Sequence, residues 1–323
     1  MKVLITGITG MVGSHLADFI LDNHPDVEVY GLIRWRSPLD NIRGRLDEVN
    51  LVQGELRDLS SMIEVINQVR PDRIFHLAAQ SFVPISYESP GDTFTVNVIG
   101  SVNLLDAVRN VGIDPLIHIC SSAEVYGQVD ESMIPITENT PFNPASPYAV
   151  SKVGQDLLGN QYHISYGLKI MRTRMFTHSG PRRGDFFAES AFAKQIAEVE
   201  QGVISNPIKV GNLDSIRTYA DVRDAVRAYW ALLESCTPGE VYNIGGNRTL
   251  TIGEMLDILK SFASVPIEHA LDPELLRPAD VTLQIPENTK FRKESGWVPE
   301  YSLEQTLGDL LDYHRARTKL RVK

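Results

Sequence analysis

The sequence predicts an α/β fold in which a doubly wound parallel sheet is joined to a smaller, discontinuous C-terminal α/β domain. Short apolar runs such as Lys2–Ile5 and Leu116–Cys120 are typical of buried parallel strands, and helical apolar patterns lie between them. After the predicted sixth strand, Leu168–Arg172, the character of the chain changes. We therefore expect one domain from residues 1–175, completed by about 212–245, and a second from 176–211 and 246–323.

The composition of the chain argues against several classes of function. The chain has 323 residues, 43% of them hydrophobic and 22% charged, which is typical of a globular protein. A net charge of −10 without a long basic run argues against a nucleic-acid surface, and no apolar stretch approaches the ~20 residues of a membrane span. The start resembles a signal peptide only superficially, and Cys120 and Cys236 form neither a disulfide framework nor a metal set. We expect a cytoplasmic enzyme without a metal.

The first element is a strand followed by a glycine turn and a helix. Lys2–Ile5 precedes Gly7, Gly10 and Gly13, and the apolar rhythm of Leu16 to Leu21 follows. Small residues in such a turn let the backbone approach a pyrophosphate, which then lies at the positive end of the helix. The turn therefore predicts a Rossmann-like dinucleotide site formed by Gly7, Thr9, Gly10, Met11, Val12 and Gly13.

The second strand, Val27–Ile33, indicates which dinucleotide is bound. An acidic residue at its end would bind the ribose hydroxyls of NAD, but the chain has Ile33 followed by Arg34. Arg34 and Arg36 can pair with a 2′-phosphate, so NADP is favoured over NAD.

Further elements follow in order. The pattern predicts a third strand at Leu51–Gln53, a fourth at Ile74–Leu77 and a helix from Thr95 to Val111. It also predicts a helix over Tyr219–Trp230 and a strand at Val241–Ile244.

A candidate catalytic group lies in the central stretch from His118 to Lys152. The strand Leu116–Cys120 carries Ser122 and Glu124 to the carboxyl edge of the sheet, where ligands bind in open α/β folds. Tyr148 and Lys152 follow Pro147 at a spacing that places both on one face of a helix. A cation beside a phenol favours the phenolate, so these residues suit proton exchange with an alcohol or ketone, and the serine suits a hydrogen bond to the same oxygen.

These motifs together resemble the extended short-chain dehydrogenases, the nucleotide-sugar epimerases and dehydratases, over nearly the whole chain. The Gly-x-x-Gly-x-x-Gly spacing is theirs, and Ala78 and Ala79 continue a His-Leu-Ala-Ala turn. The resemblance implies that Glu55, Leu56, Leu77, Ala78 and Ala79 lie against the cofactor together with Tyr148 and Lys152. It also implies that the loop with Ser81 and Ser86 borders the sugar, and that helices near 95–111 and 148 form a homodimer or homotetramer.

Within that group the chain resembles the GDP-mannose dehydratases and the related GDP-manno-heptose dehydratases, and residues 34–41 and 177–180 resemble the heptose enzymes more closely. Glu124, Tyr126 and Gly127 match the Thr-Ser-Glu-Leu-Tyr-Gly pattern of the GDP-mannose enzymes. Residues 177–184 resemble their Asn-His-Glu-Ser-Pro-Arg-Arg-Gly, with Thr177 in place of the asparagine. Ala123 stands where the related dTDP-glucose enzymes carry an acid. The resemblance implies that a set of polar side chains binds the GDP-sugar: Thr177, His178, Arg182, Arg183, Lys194, Arg217, Arg277 and Asp280.

The expected activity is therefore that of a GDP-sugar 4,6-dehydratase, a lyase that returns its own hydride. Tyr148 takes the C4 hydroxyl proton, Glu124 removes the C5 proton, Ser122 positions the C4 oxygen, and Lys152 favours the phenolate. Alternatives are a GDP-manno-heptose dehydratase, an NADPH-dependent 4-keto-6-deoxy-sugar reductase, a nucleotide-sugar epimerase and a non-catalytic nucleotide-sensing protein.

Overall fold

The computed structural model describes residues 1–276 and 281–322. Its central element is a parallel sheet of seven strands in the order β10-β6-β5-β4-β1-β2-β3. These strands are β1 (Lys2–Thr6), β2 (Glu28–Ile33), β3 (Asn50–Gln53), β4 (Arg73–His76), β5 (Leu116–Ser122), β6 (Lys169–Met175) and β10 (Val241–Ile244). Because helices cover both faces, strand interiors such as Val3, Leu4 and Ile5 are fully buried, as parallel sheets require.

Helices on the two faces bury separate apolar clusters against the sheet. One face packs α1 (Met11–Asn23) and α8 (Val222–Ser235), with Leu16, Ile20 and Tyr229 in its core. The other packs α2 (Leu59–Val69) and α5 (Gly100–Val111), with Met62 and Leu104 in its core. Helix α6 (Pro147–Tyr166), which carries Tyr148 and Lys152, packs against β5 and β6. The remaining short helices on this side are α3 (Val83–Glu88) and α4 (Pro90–Phe94).

A second layer lies beyond the carboxyl edge of the large sheet. Its own core contains Phe192, Leu256 and Leu307, contributed by three helices: α7 (Ala188–Glu200), α9 (Ile252–Ser261) and α11 (Leu303–Val322). Its four-stranded sheet contains β7 (His178–Ser179), β9 (Ile216–Asp221), β11 (Arg248–Thr251) and β13 (Leu283–Gln284). A two-stranded sheet pairs β8 (Ile208–Val210) with β12 (His269–Leu271), and α10 (Thr289–Ser295) packs on α8.

The α/β fold class predicted from the sequence is confirmed, but several element boundaries differ. The sixth strand, predicted to end at Arg172, continues to Met175, and the first four strands each differ by one residue at one or both ends. The predicted helix at Tyr219–Trp230 is wrong in its first three residues, which end β9, where Tyr219 pairs with Arg248. The helix begins at Val222, where the carboxylate of Asp221 accepts from the backbone N–H of Arg223 at 2.7 Å.

Two further differences concern the helix predicted at Thr95–Val111 and the strand predicted to end at Cys120. Thr95–Ile99 is a π-helical segment that joins α4 to α5, so the helical run starts at Pro90. Strand β5 continues to Ser122, which pairs with Met175 and therefore sits at the end of the strand itself.

Within the described ranges, no helix combines the length and the apolar character needed to cross a membrane.

Candidate functional site

A cavity of about 1340 Å³ lies between the carboxyl edge of the large sheet and the second layer. Most of the residues singled out from the sequence line it, including the glycine turn, Ser122, Glu124, Tyr148 and Lys152. Arg36 and Ser86 do not line it, and Arg277 and Asp280 lie outside the described residues.

The glycine turn leaves no room for side chains. A Cβ on Gly13 would lie 2.2 Å from the carbonyl oxygen of Gly7, and a Cβ on Gly7 would lie 2.9 Å from the backbone nitrogen of Ala78. Gly7 also has a φ of +76°, a conformation that favours glycine. Gly10 precedes the first turn of α1, which lines the cavity. The backbone N–H groups of a first turn have no hydrogen-bond partner within their own helix. This cradle has the shape and the dipole to receive a pyrophosphate.

The end of β2 meets the cavity through Arg34, Ser37 and Asn41. The hydroxyl of Ser37 accepts from the backbone N–H of Arg34 at 3.0 Å, and the Asn41 amide donates to the carbonyl of Thr9 at 2.9 Å. These contacts tie the basic loop to the glycine turn. The sequence reasoning missed Ser37 and Asn41 as lining residues, although both lie within seven positions of Arg34.

Arg36 was expected beside Arg34 but points elsewhere. Its guanidinium stacks 4.1 Å from the ring centroid of Trp35, a side chain that is 72% exposed. Residues 34–37 form a turn, in which the backbone N–H of Ser37 donates to the carbonyl of Arg34 at 3.0 Å, and the aromatic ring offers Arg36 a contact outside the cavity.

Glu55 and Leu56 line the cavity beyond β3. Hydrogen bonds from Arg57, one of them 2.9 Å long, lower the pKa of Glu55 and keep it ionised near neutral pH. Leu77, Ala78 and Ala79 form the adjoining wall after β4.

The loop after Ala79 is fixed by Asn97, a fully buried residue of the π-helical segment. Its amide oxygen accepts from the backbone N–H of Gln80 at 2.8 Å, and its amide nitrogen donates to the carbonyl of Gln80 at 3.0 Å. Ser81 lines the cavity, but the expected sugar contact from Ser86 is not supported. Ser86 is fully buried, and its hydroxyl donates to the carbonyl of Val83 at 2.6 Å within α3.

Ser122, Tyr148 and Lys152 come together where β5 ends beside α6. Ser146 caps α6 by accepting from the backbone N–H of Ala149 at 3.1 Å, which places Tyr148 in the first turn. Burial raises the pKa of the Tyr148 phenol, and a hydrogen bond with Ser122 opposes that shift. The Lys152 ammonium lies 5.9 Å from the Tyr148 ring centroid, and burial lowers its pKa. The arrangement is suited to proton exchange with a bound hydroxyl.

Glu124 lies on the same side of the cavity, one short turn beyond Ser122. The Ser122 hydroxyl accepts from its backbone N–H at 3.2 Å, and its carboxylate accepts from the side-chain amide of Gln284 at 3.2 Å. Gln284 is 2% exposed and lies on β13, so the second layer orients the carboxylate. Ala123 is 3% exposed and lines the cavity between the two polar residues, which leaves no acid at that position.

Thr177 and His178 follow β6 and line the cavity. Burial lowers the pKa of His178 to about 4, so the imidazole is neutral near pH 7. Its Nδ1 lies 3.1 Å from the carbonyl of Phe176, which can only accept. Nδ1 therefore carries the proton, and Nε2 is an acceptor.

Four of the basic residues expected to bind the GDP-sugar line the cavity, and each has a partner. Arg182 pairs with Asp18 at 2.7 Å, Arg183 with Glu189 at 3.0 Å, and Lys194 with Asp185 at 3.2 Å. Arg217 donates to the carbonyls of Ile216 and Val281. Three aromatic side chains that the sequence reasoning missed form the rim, where Phe82 meets Phe186 and Phe187 with ring centroids within 5.7 Å.

The parallel sheet with its glycine turn defines the chain as an extended short-chain dehydrogenase/reductase, since solved enzymes of that class share the fold. A structure of RMD from Pseudomonas aeruginosa complexed with NADPH is 30% identical, has a TM-score of 0.86, and covers 98% of this chain and 99% of its own. The chain belongs to the GDP-mannose 4,6-dehydratase family, whose model matches residues 4–310. This confirms the resemblance seen in the sequence.

Two relatives show how wide the family is. The GDP-mannose 4,6-dehydratase of Yersinia enterocolitica is 33% identical over 350 residues, covering 96% of this chain and 92% of the relative. The GDP-6-deoxy-D-mannose reductase of Pseudomonas aeruginosa is 32% identical over 318 residues, covering 98% of each.

Proposed function

We propose that the protein is a GDP-sugar 4,6-dehydratase that acts on GDP-mannose with NADP. The observation that carries the proposal is the position of Glu124. Its carboxylate faces the cavity that Tyr148 and Ser122 also line, and Gln284 holds it. An elimination adjacent to a ketone requires a second proton acceptor close to Tyr148, which accepts the first proton.

The residues of the first domain fit the cofactor. The cradle of Gly7, Gly10 and Gly13 would hold the pyrophosphate, and Arg34 with Ser37 would receive the 2′-phosphate. Bound NADP would supply the hydride acceptor for oxidation at C4 and the hydride donor for the return to C6. Lys152 would contribute its positive charge beside the phenol. We assign cofactor binding to the domain expected at residues 1–175 with about 212–245, although β9 within the second range lies in the sheet of the second layer, so that α8 and β10 complete the first domain.

Tyr148 takes the proton of the C4 hydroxyl, and Ser122 holds that oxygen by a hydrogen bond. Once C4 is a ketone, the C5 proton is acidic, and the Glu124 carboxylate removes it while hydroxide leaves from C6. Because Ala123 has no acidic group, protonation of the leaving oxygen falls to another donor. Arg183, Lys194 and Arg217 neutralise the diphosphate, since guanidinium and ammonium groups suit its oxygens.

A reductase is the second candidate, because the chain is 32% identical to an enzyme of that name and carries no acid at Ala123. Incubation of the purified protein with GDP-mannose, without added cofactor, separates the two. A 4-keto-6-deoxy product in amounts above the enzyme concentration supports the dehydratase. A requirement for stoichiometric NADPH, or activity only on a keto sugar, refutes it. Substituting GDP-manno-heptose in the same assay decides between the hexose and the heptose.

We propose a homodimer or a homotetramer in the cytoplasm. Ile99, Val150 and Leu157 are 41–51% exposed apolar side chains on the helices expected at the dimer face, and light scattering tests the mass.

A further inference from the structure

Beneath the catalytic group runs a fully buried chain of polar side chains that the reaction itself does not use. It links Lys152 on α6 to the cofactor-lining loop after β4. Lys152 Nζ lies 2.7 Å from Gln155 Oε1, and Gln155 Nε2 lies 2.8 Å from Ser101 Oγ. Ser101 Oγ lies 2.9 Å from His76 Nε2, and His76 Nδ1 lies 2.8 Å from Thr6 Oγ1.

The direction of every hydrogen bond in this chain follows by elimination. The single proton of Ser101 goes to the carbonyl of Asn97 at 2.6 Å, because a carbonyl can only accept. Ser101 therefore accepts from both Gln155 and His76, so His76 carries its proton on Nε2. Its Nδ1 then accepts from the Thr6 hydroxyl, which in turn accepts from the backbone N–H of Ala78 at 3.1 Å.

These directions show that the buried hydrogen bonds hold the side chains in fixed orientations and cannot relay a proton. Two donors meet at Ser101 Oγ, and the amide of Gln155 holds its protons too tightly to pass one on. His76 stays neutral, since burial lowers its pKa to about 3. What the chain does is fix the amide of Gln155 with its oxygen toward Lys152.

Lys152 has a second acceptor in the carbonyl of Cys120, at 2.8 Å. Both acceptors are neutral, and no carboxylate of residues 1–276 or 281–322 lies within 4.0 Å of Nζ. Two hydrogen bonds stabilise the ammonium form without cancelling its charge. The field of that charge remains available to the Tyr148 phenol.

We propose that Gln155 is a positioning residue that holds Lys152 as an unpaired ammonium beside the cofactor loop. Ser101 and His76 fix the orientation of its amide. The inference rests on the proposed function only in assigning proton transfer to Tyr148.

Other titratable or charged groups also face Tyr148 and Lys152 and would respond to the same perturbation. They are His76 on β4, His118 and Cys120 on β5, Glu124 after β5, Arg183 in the loop before α7, and Tyr229 on α8.

Substitutions at Gln155 should move the pKa of Lys152 in opposite directions. Gln155→Glu places a carboxylate against the ammonium and should raise that pKa by about 1 unit or more. Gln155→Met keeps the volume but removes an acceptor of the charged form, and should lower it by about 1 unit. The measurement is an NMR titration of lysine labelled with ¹³C at Cε, on the protein saturated with NADP, with Lys152→Arg to assign the resonance.

Gln305→Glu, at an exposed position on α11, is the control for added charge and should leave the Lys152 resonance unchanged. Ser101→Ala leaves Gln155 in place but frees its amide nitrogen, so the Lys152 pKa should fall by less than in Gln155→Met. This variant also keeps the test available if a Gln155 variant does not fold.

A Lys152 pKa within about 0.3 unit of wild type in the folded Gln155 variants, or in Ser101→Ala if those do not fold, would overturn the proposal. Shifts of the same sign in Gln155→Glu and Gln155→Met would overturn it as well. The titration needs no substrate, so its outcome is independent of whether GDP-mannose is dehydrated.

Discussion

Gly13→Ala tests whether the glycine turn binds NADP, because the added methyl group would clash with the backbone of the turn. The new Cβ would lie 2.2 Å from the Gly7 carbonyl oxygen and 2.7 Å from the Ile8 Cα, whereas such contacts essentially never fall below 3.0 Å. Both neighbours are backbone atoms of the turn, so the turn itself has to move by about 0.8 Å at the closer contact. Movement of the turn relieves the clash but takes the cradle out of the geometry that receives the pyrophosphate. Restoring that geometry on binding should cost about 1–3 kcal/mol, the usual cost of overpacking, which corresponds to ~5- to 150-fold weaker NADP binding.

Titration calorimetry with NADP measures that loss, and the melting temperature separates it from unfolding. Alanine is favoured over glycine inside a helix by about 1 kcal/mol, so stability should change less than binding. Gly308→Ala is the matched control, because nothing lies within 4 Å of its added Cβ on α11. An unchanged Kd for NADP in folded Gly13→Ala would refute the assignment of the cradle.

Three further predictions address the acid–base group, the cofactor loop and pH. Tyr148→Phe should lower kcat by ~10²–10⁴-fold with little change in substrate affinity, and a variant that kept more than about a tenth of wild-type turnover would remove Tyr148 from the reaction. Arg34→Ala should weaken the binding of NADP more than that of NAD in a direct binding assay. Arg36 stacks on Trp35 outside the cavity, so Arg36→Ala should affect the two cofactors about equally. Equal losses of affinity for both cofactors in Arg34→Ala would show that Arg34 does not contact the 2′-phosphate. Burial lowers the pKa of His118 from 6.5 to about 3, so the unfolded chain takes up a proton at this residue before the folded protein does, and the fold loses stability as pH falls below 6.5. His118→Gln should therefore reduce the loss of thermal stability between pH 6.5 and 5. Parallel plots of melting temperature against pH for the variant and the wild type would contradict the shift.

The residues predictable from the sequence are those whose placement depends on local periodicity. Tyr148 and Lys152 share one face of a helix because they are four residues apart, and Ser122 reaches the sheet edge because a buried strand precedes it. The glycine turn follows the same logic, since its strand and helix are adjacent in the chain.

Contacts between residues far apart in the sequence could not be predicted from local periodicity. Gln284 reaches Glu124 across 160 positions from a strand of two residues, which has no periodicity to detect. The buried amide of Gln155 looks like any polar residue of an amphipathic helix until Ser101 and His76 are seen beside it. Ser86 was misplaced for the related reason that loop proximity does not give side-chain direction.

The central claim, that Glu124 is the base for an elimination, is tested most directly by Glu124→Gln in D₂O with GDP-mannose. The amide keeps the size of the side chain and can still meet Gln284, but it cannot accept the C5 proton. Oxidation at C4 should therefore proceed once per active site, seen as an NADPH absorbance that does not decay. Deuterium should not enter C5, and no 6-deoxy product should form, whereas the wild-type protein should give a product labelled at C5. Dehydration of GDP-mannose by Glu124→Gln at the wild-type rate would contradict the account.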